Sequence, residues 1–155
     1  MKNKIILPGV GAAAVMVLIF AFSSRDVGFS LGQSGRVTRA LCRVIFFRFE
    51  SMTGEQQDFV VTELDFFVRK LAHFCVYMLL GAMTYGVTLC SKRICRKRRW
   101  ALLICALYAA LDELHQYIVP GRTMRLSDVG IDSAGALLGI MIVWVVMRLW
   151  RSRNG

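Results

Sequence analysis

The sequence predicts an all-α integral membrane bundle of four transmembrane helices. Three observations carry that expectation. The chain is 56% hydrophobic over 155 residues and has a mean hydropathy of +0.53, too apolar for an ordinary soluble domain. Its apolar residues gather in four runs of roughly 18–25 residues, the length that crosses a hydrocarbon core of about 30 Å as a helix. Its basic residues lie beside these runs and not along one soluble face, so the net charge of +10 reads as a topology signal and argues against a nucleic-acid partner. One membrane domain over residues 1–155 is the simplest organisation.

The first run, residues 5–22, follows Lys2 and Lys4. Ala21-Phe22-Ser23 resembles a signal-peptide cleavage site, but the run exceeds the usual apolar core of roughly 7–15 residues, so a retained helix is expected. From Ser23 to about residue 65 the chain turns polar. Within it Arg36, Arg39 and Arg43, and Val37, Leu41, Val44 and Ile45, recur at helical spacing on different faces. Such a helix, within residues 36–48 of the first extracytoplasmic loop, either lies at the membrane interface with its arginines toward lipid phosphates or caps the bundle. Thr53-Gly54-Glu55-Gln56 has the form of a capping box and starts a new helix through Val60 and Leu64 toward Phe67.

The second span, residues 66–90, carries Arg69, Lys70 and His73 near its start; Arg69, His73 and Tyr77 are four apart and share a face. Residues 91–99 form the most basic segment, and short basic loops stay cytoplasmic, so the segment reads as a topology signal with at most some affinity for anionic lipid and needs no partner. The third span, residues 100–119, holds Asp112, Glu113, His115 and Gln116 and ends at the Pro120-Gly121 turn. The fourth, residues 129–150, follows Ser127 and Asp128, either suited to cap it. It carries Asp132, and its Gly135 and Gly139 offer a small-residue surface for packing within the bundle or between protomers. The basic N-terminus, the 91–99 loop and Arg148, Arg151 and Arg153 must share a side, which an even number of spans permits; both termini are expected in the cytoplasm. The five cysteines, Cys42, Cys75, Cys90, Cys95 and Cys105, form no CxxC pair and read as packing residues.

Ionisable groups at membrane depth are costly unless they face a protein interior, a partner or a wet cavity, which makes them a functional-site hypothesis. The topology brings Arg69, Lys70, His73, the 112–116 segment, Arg122, Arg125, Asp128 and Asp132 to the extracytoplasmic end, as a polar pocket open to the outside. Tyr108, Asp112 and His115 share a helical face, whereas Glu113 points about 100° away. Arg69, Lys70, Arg122 and Arg125 balance Asp112, Glu113, Asp128 and Asp132 in formal charge, so an ion-pair network that only fixes helix register accounts for them at the blandest. Three active readings stand beside it. In acid–base chemistry, His115 or His73 moves a proton, Asp112 or Glu113 orients the imidazole, and the arginines hold a phosphate or carboxylate. Metal binding through His73, His115 and nearby carboxylates suits the residue types, though Asp112-Glu113-Leu114-His115 is not the His-Glu-x-x-His motif. Recognition of an anionic envelope ligand needs only the arginine-lined rim. No nucleophile elbow, phosphate loop or dinucleotide motif occurs. His73, Asp112, Glu113, His115 and Asp128 are thus the candidate catalytic residues, and Arg69, Lys70, Gln116, Arg122, Arg125 and Asp132 the candidate ligand-binding ones. No residue is assigned to a metal, and the cofactor is left unknown.

Arg69-Lys70-Leu71-Ala72-His73 with Tyr77, Asp112-Glu113-Leu114-His115-Gln116, Pro120-Gly121-Arg122, and the later Asp128 and Gly135 together resemble the VanZ-like family of small bacterial integral membrane proteins; Phe22-Ser23-Ser24 fits the same pattern. The resemblance covers nearly the whole chain. It implies a multi-pass protein of the bacterial plasma membrane and an envelope function that lowers susceptibility to glycopeptide antibiotics, teicoplanin in particular. The implied partners are membrane lipids and an envelope lipid, a cell-wall precursor or the glycopeptide itself. Some relatives bear a phosphotransbutyrylase label, but nothing in this chain resembles a soluble acyltransferase site.

Overall fold

The computed structural model describes residues 2–24, 27–91, 93–119 and 124–154. Among these every regular element is helical: α1 (Lys2–Ser23), α2 (Val27–Ile45), a 3-10 turn (Phe49–Ser51), α3 (Gly54–Cys90), α4 (Lys97–Ile118) and α5 (Leu126–Asn154). α1, α3 and α5 are each long and apolar enough to cross a membrane. α4 does not reach that apolarity, because Asp112, Glu113, His115 and Gln116 fall in its last two turns.

The capping box forms as expected. The Thr53 side chain accepts the Gln56 N–H at 3.4 Å while the Gln56 side chain accepts the Thr53 N–H at 3.1 Å. The helix it starts does not end near Phe67, however, but continues through the second span as one element of 37 residues. Residues 55–80 contain neither glycine nor proline, so nothing breaks the ladder between the two predicted pieces. At about 1.5 Å per residue α3 is roughly 55 Å long, well beyond a hydrocarbon core of about 30 Å.

α2 packs along the N-terminal part of α3, around buried Cys42, Phe49 and Val61. The Thr38 hydroxyl donates to Asp65 at 3.2 Å, and Arg39–Asp58 and Arg43–Glu50 ion pairs flank the contact. Burial pushes the Cys42 thiol above its ordinary pKa, as suits a packing residue and not a nucleophile. All five cysteines are free; Cys42 and Cys105 are buried, whereas Cys75 and Cys95 are exposed.

α3 and α5 form the central pair of the bundle and run parallel, since Phe74 and Met78 of α3 meet Gly135 and Gly139 of α5. A Cβ at either glycine would collide with an α3 backbone carbonyl, and one at Gly81 would collide with that of Ala136. The small residues therefore pack inside the bundle, where they let two backbones approach closely. α4 runs against this pair, and α1 lies on α3 with its end touching α4. Val15, Ile19, Leu80, Cys105, Ala109 and Ala136 fill the space between the four helices. At the opposite end from the 112–116 segment, Arg98 and Arg148 both lie over the Trp144 ring, at 4.7 and 5.5 Å, so the basic loop and the basic end of α5 meet.

Candidate functional site

α4 turns Asp112, Glu113 and Gln116 inward, where they are 4%, 2% and 8% exposed, and α5 brings Asp132 to them at 2%. An amphipathic helix whose polar stripe faces the bundle is the inverse of a surface helix. It is stable only if the inward polar groups find partners. Asp112 does so at once: its Oδ2 accepts from the Gln116 amide at 2.9 Å, one turn away, and the Ser23 hydroxyl at the end of α1 also bonds its carboxylate. The Gln116 amide also reaches the Ser23 hydroxyl at 3.4 Å.

His73 of α3 completes the inner cluster. Its Nδ1 lies 3.7 Å from Oδ2 of Asp132, and ligand atoms of His73, Asp112 and Asp132 all fall within 4.8 Å of one another. One turn further along α3, Tyr77 is fully buried with its ring tilted against Tyr108 at 6.4 Å. Tyr108 donates to the Met16 carbonyl at 2.6 Å, but the Tyr77 hydroxyl has no hydrogen-bond partner among the described residues. Asp112 and Asp132 both act on it electrostatically.

A second cluster lies about 100° around α4. Glu113 accepts the Arg125 backbone N–H at 2.9 Å, just before α5 begins. Lys70 of α3 pairs with Asp128, which also accepts from Ser127 at 3.1 Å. Lys70 and Arg125 lie over the Phe66 ring at 5.2 and 5.9 Å. The Lys70–Asp128 ion pair and the bond from the Arg125 backbone N–H to Glu113 thus tie α3, α4 and the start of α5 together.

The eleven candidate residues therefore separate. His73, Asp112, Gln116 and Asp132 meet in the inner cluster; Lys70, Glu113, Arg125 and Asp128 form the second. Arg69 turns instead to Asp65, one turn back on α3, at 3.3 Å. His115 leaves the face of Asp112 and stacks on Phe20 of α1, with ring centroids 4.7 Å apart and an interplanar angle of 28°. Its Nε2 is 3.1 Å from the Ser24 hydroxyl, which also lies 2.7 Å from the Phe20 carbonyl. Arg122, with the Pro120-Gly121 turn, lies outside the described residues. Ser23 and Tyr77 are inner-cluster residues that the candidate set omits. The four-residue step from His73 was a usable signal for Tyr77, whereas Ser23 reaches Asp112 only through tertiary packing.

The inner carboxylates sit below the surface, where the His73 side chain is the most exposed at 35%; in the second cluster Arg125 is exposed, and the Lys70 and Asp128 side chains are 22% and 20% exposed. Two carboxylates beside one imidazole can hold a proton at His73 and orient its ring. The same three groups are a donor set for a divalent cation.

No curated protein and no solved structure matches the chain. The model of the VanZ/LLP1 family matches residues 10–148, which take in both clusters and the basic loop. Apolar helices, the buried charges between them and this match agree: the chain is a membrane protein and belongs to the VanZ/LLP1 family.

Proposed function

We propose that the protein acts in the envelope of a bacterium, where its inner cluster binds or modifies an envelope component and so lowers susceptibility to glycopeptide antibiotics such as teicoplanin. The observation that carries this reading is the meeting of His73, Asp112 and Asp132, from three helices, within 4.8 Å. Hydrophobic packing would hold the same helices together without desolvating three ionisable groups, so their presence asks for a chemical purpose. In this reading α4 also crosses the membrane, as the third of four spans. Its outward side carries Leu103, Leu107, Leu111, Leu114 and Ile118, all exposed and spaced as one stripe, which suits lipid, while its polar stripe faces α3 and α5. Both termini are then cytoplasmic and the two clusters lie toward the extracytoplasmic end, with α2 along the outer extension of α3 at the membrane interface.

The test is teicoplanin susceptibility of a bacterial host expressing the wild type, Asp112→Asn and His73→Ala at matched membrane levels, with detergent melting curves alongside. Variants that stay folded and lose protection support the reading; a wild type that gives no protection removes its glycopeptide part. A second reading, in which the buried charges only hold the bundle together, is favoured by the second cluster, where the Lys70–Asp128 ion pair and the bond from the Arg125 backbone N–H to Glu113 join three helices. It requires every loss of protection to track a fall in melting temperature.

A further inference from the structure

We propose that His73, Asp112 and Asp132 bind one divalent metal ion, manganese or zinc. This deepens the reading of the inner cluster given above and rests on it for the view that these charges act and do not merely pack.

Three observations carry the proposal. The first is convergence. One imidazole and two carboxylates, from α3, α4 and α5, bring ligand atoms within 4.8 Å of one another, and His73 Nδ1 and Asp132 Oδ2 stand at 3.7 Å. Donors that each sit about 2.0–2.2 Å from a tetrahedral ion are roughly 3.3–3.6 Å apart, so each side chain must move by something under about 1 Å to close the set. The second is charge. Among the described residues no lysine or arginine forms an ion pair with Asp112 or Asp132: Lys70 is taken by Asp128 and Arg69 by Asp65. Two carboxylates at 4% and 2% exposure are costly to keep ionised, and one half-buried imidazole supplies at most a single proton. A divalent ion would balance both. The third is the Tyr77 hydroxyl, fully buried, without a hydrogen-bond partner, and under the field of the same two carboxylates. Three protein ligands leave an open position on the ion, and an oxygen bound there would offer this hydroxyl a partner.

The surroundings suit a metal ligand. Asp112 is held by Gln116 and Ser23, the kind of outer contact that fixes a ligating carboxylate. His73 is the most exposed of the three groups and marks the way in. Donor chemistry selects the ion: an imidazole beside two carboxylates favours manganese or zinc over magnesium, which prefers oxygen ligands and retained water, and over copper(I), which prefers sulfur.

The test uses the full-length protein, purified untagged in detergent without chelator. Metal content is measured by mass spectrometry, and the protein is then stripped with EDTA and titrated with manganese chloride and with zinc chloride by calorimetry and melting. The proposal expects close to one manganese or zinc per chain, a melting temperature that falls on stripping and recovers on titration, and an affinity lowered about tenfold or more by Gln116→Ala and further by Asp132→Asn. Glu63→Gln, on the exposed side of α3, should bind as the wild type does. Wild-type protein that holds neither metal and binds neither on titration overturns the proposal whatever the variants do. So does unchanged affinity in a folded Asp132→Asn or His73→Ala. Metal is read on purified protein and susceptibility on cells, so a protein that binds metal without protecting its host defeats only the proposed function, and one that protects without metal defeats only this inference.

Discussion

At residue scale the two histidines, interchangeable in the sequence, are given different surroundings. Residues at 112 and 115 are three apart and share a broad helical face, yet the end of α1 passes between their directions: Ser23 bonds Asp112, and Phe20 with Ser24 captures His115. His115→Phe, which keeps a ring against Phe20, is therefore expected to retain most of the activity measured in the susceptibility assay, whereas His73→Ala abolishes it. Tyr77 offers a second check. A buried hydroxyl without a partner costs on the order of 1–3 kcal/mol, so in EDTA-stripped protein Tyr77→Phe should leave stability unchanged or raise it by about 1 kcal/mol, read from melting in detergent. The residue types in the cluster were legible in the sequence because charges inside an apolar run stand out. Their partners were not, because Ser23 and Asp112 are far apart in the chain and only packing brings them together.

The elements show where periodicity suffices and where it stops. The capping box at Thr53 marks a helix start from four residues alone, and Thr53→Ala should cost about 1 kcal/mol of stability, measurable as a lower melting temperature with activity unchanged. The end of that helix was misplaced because a polar, amphipathic stretch and an apolar one carry different patterns although the backbone runs through both without a break. The glycines of α5 are the reverse case: their spacing announced close packing but not against what. Since a Cβ at Gly139 would collide with the Met78 carbonyl, Gly139→Ala should force α3 and α5 apart at a cost of roughly 1–3 kcal/mol or more, with loss of the cluster that the pair holds. A melting curve and the susceptibility assay would both register it. The same substitution at Gly9, which meets no neighbouring atom, should do neither.

For the whole molecule, charge sets orientation and packing sets the site. The basic loop and the basic end of α5 converge on Trp144 at one end of the bundle, and the expected cytoplasmic placement of that end can be checked on Cys95, an exposed cysteine in the loop. A membrane-impermeant maleimide should label a variant retaining Cys95 alone in inside-out vesicles and leave it unlabelled in intact spheroplasts; the opposite result inverts the topology. The sequence by itself determined the helical membrane class, the family and the unusual charges of α4, because each depends on composition or on residues close in the chain. Which charges meet was decided only by the tertiary structure. The parallel α3–α5 pair, brought close by glycine contacts, sets His73 against Asp132, and α4 rotates Asp112 toward that pair and Glu113 toward Arg125. Helical spacing fixes the angle between neighbours on one helix, but the rotation of a helix about its axis is set by what it packs against, and that is a property of the assembled bundle.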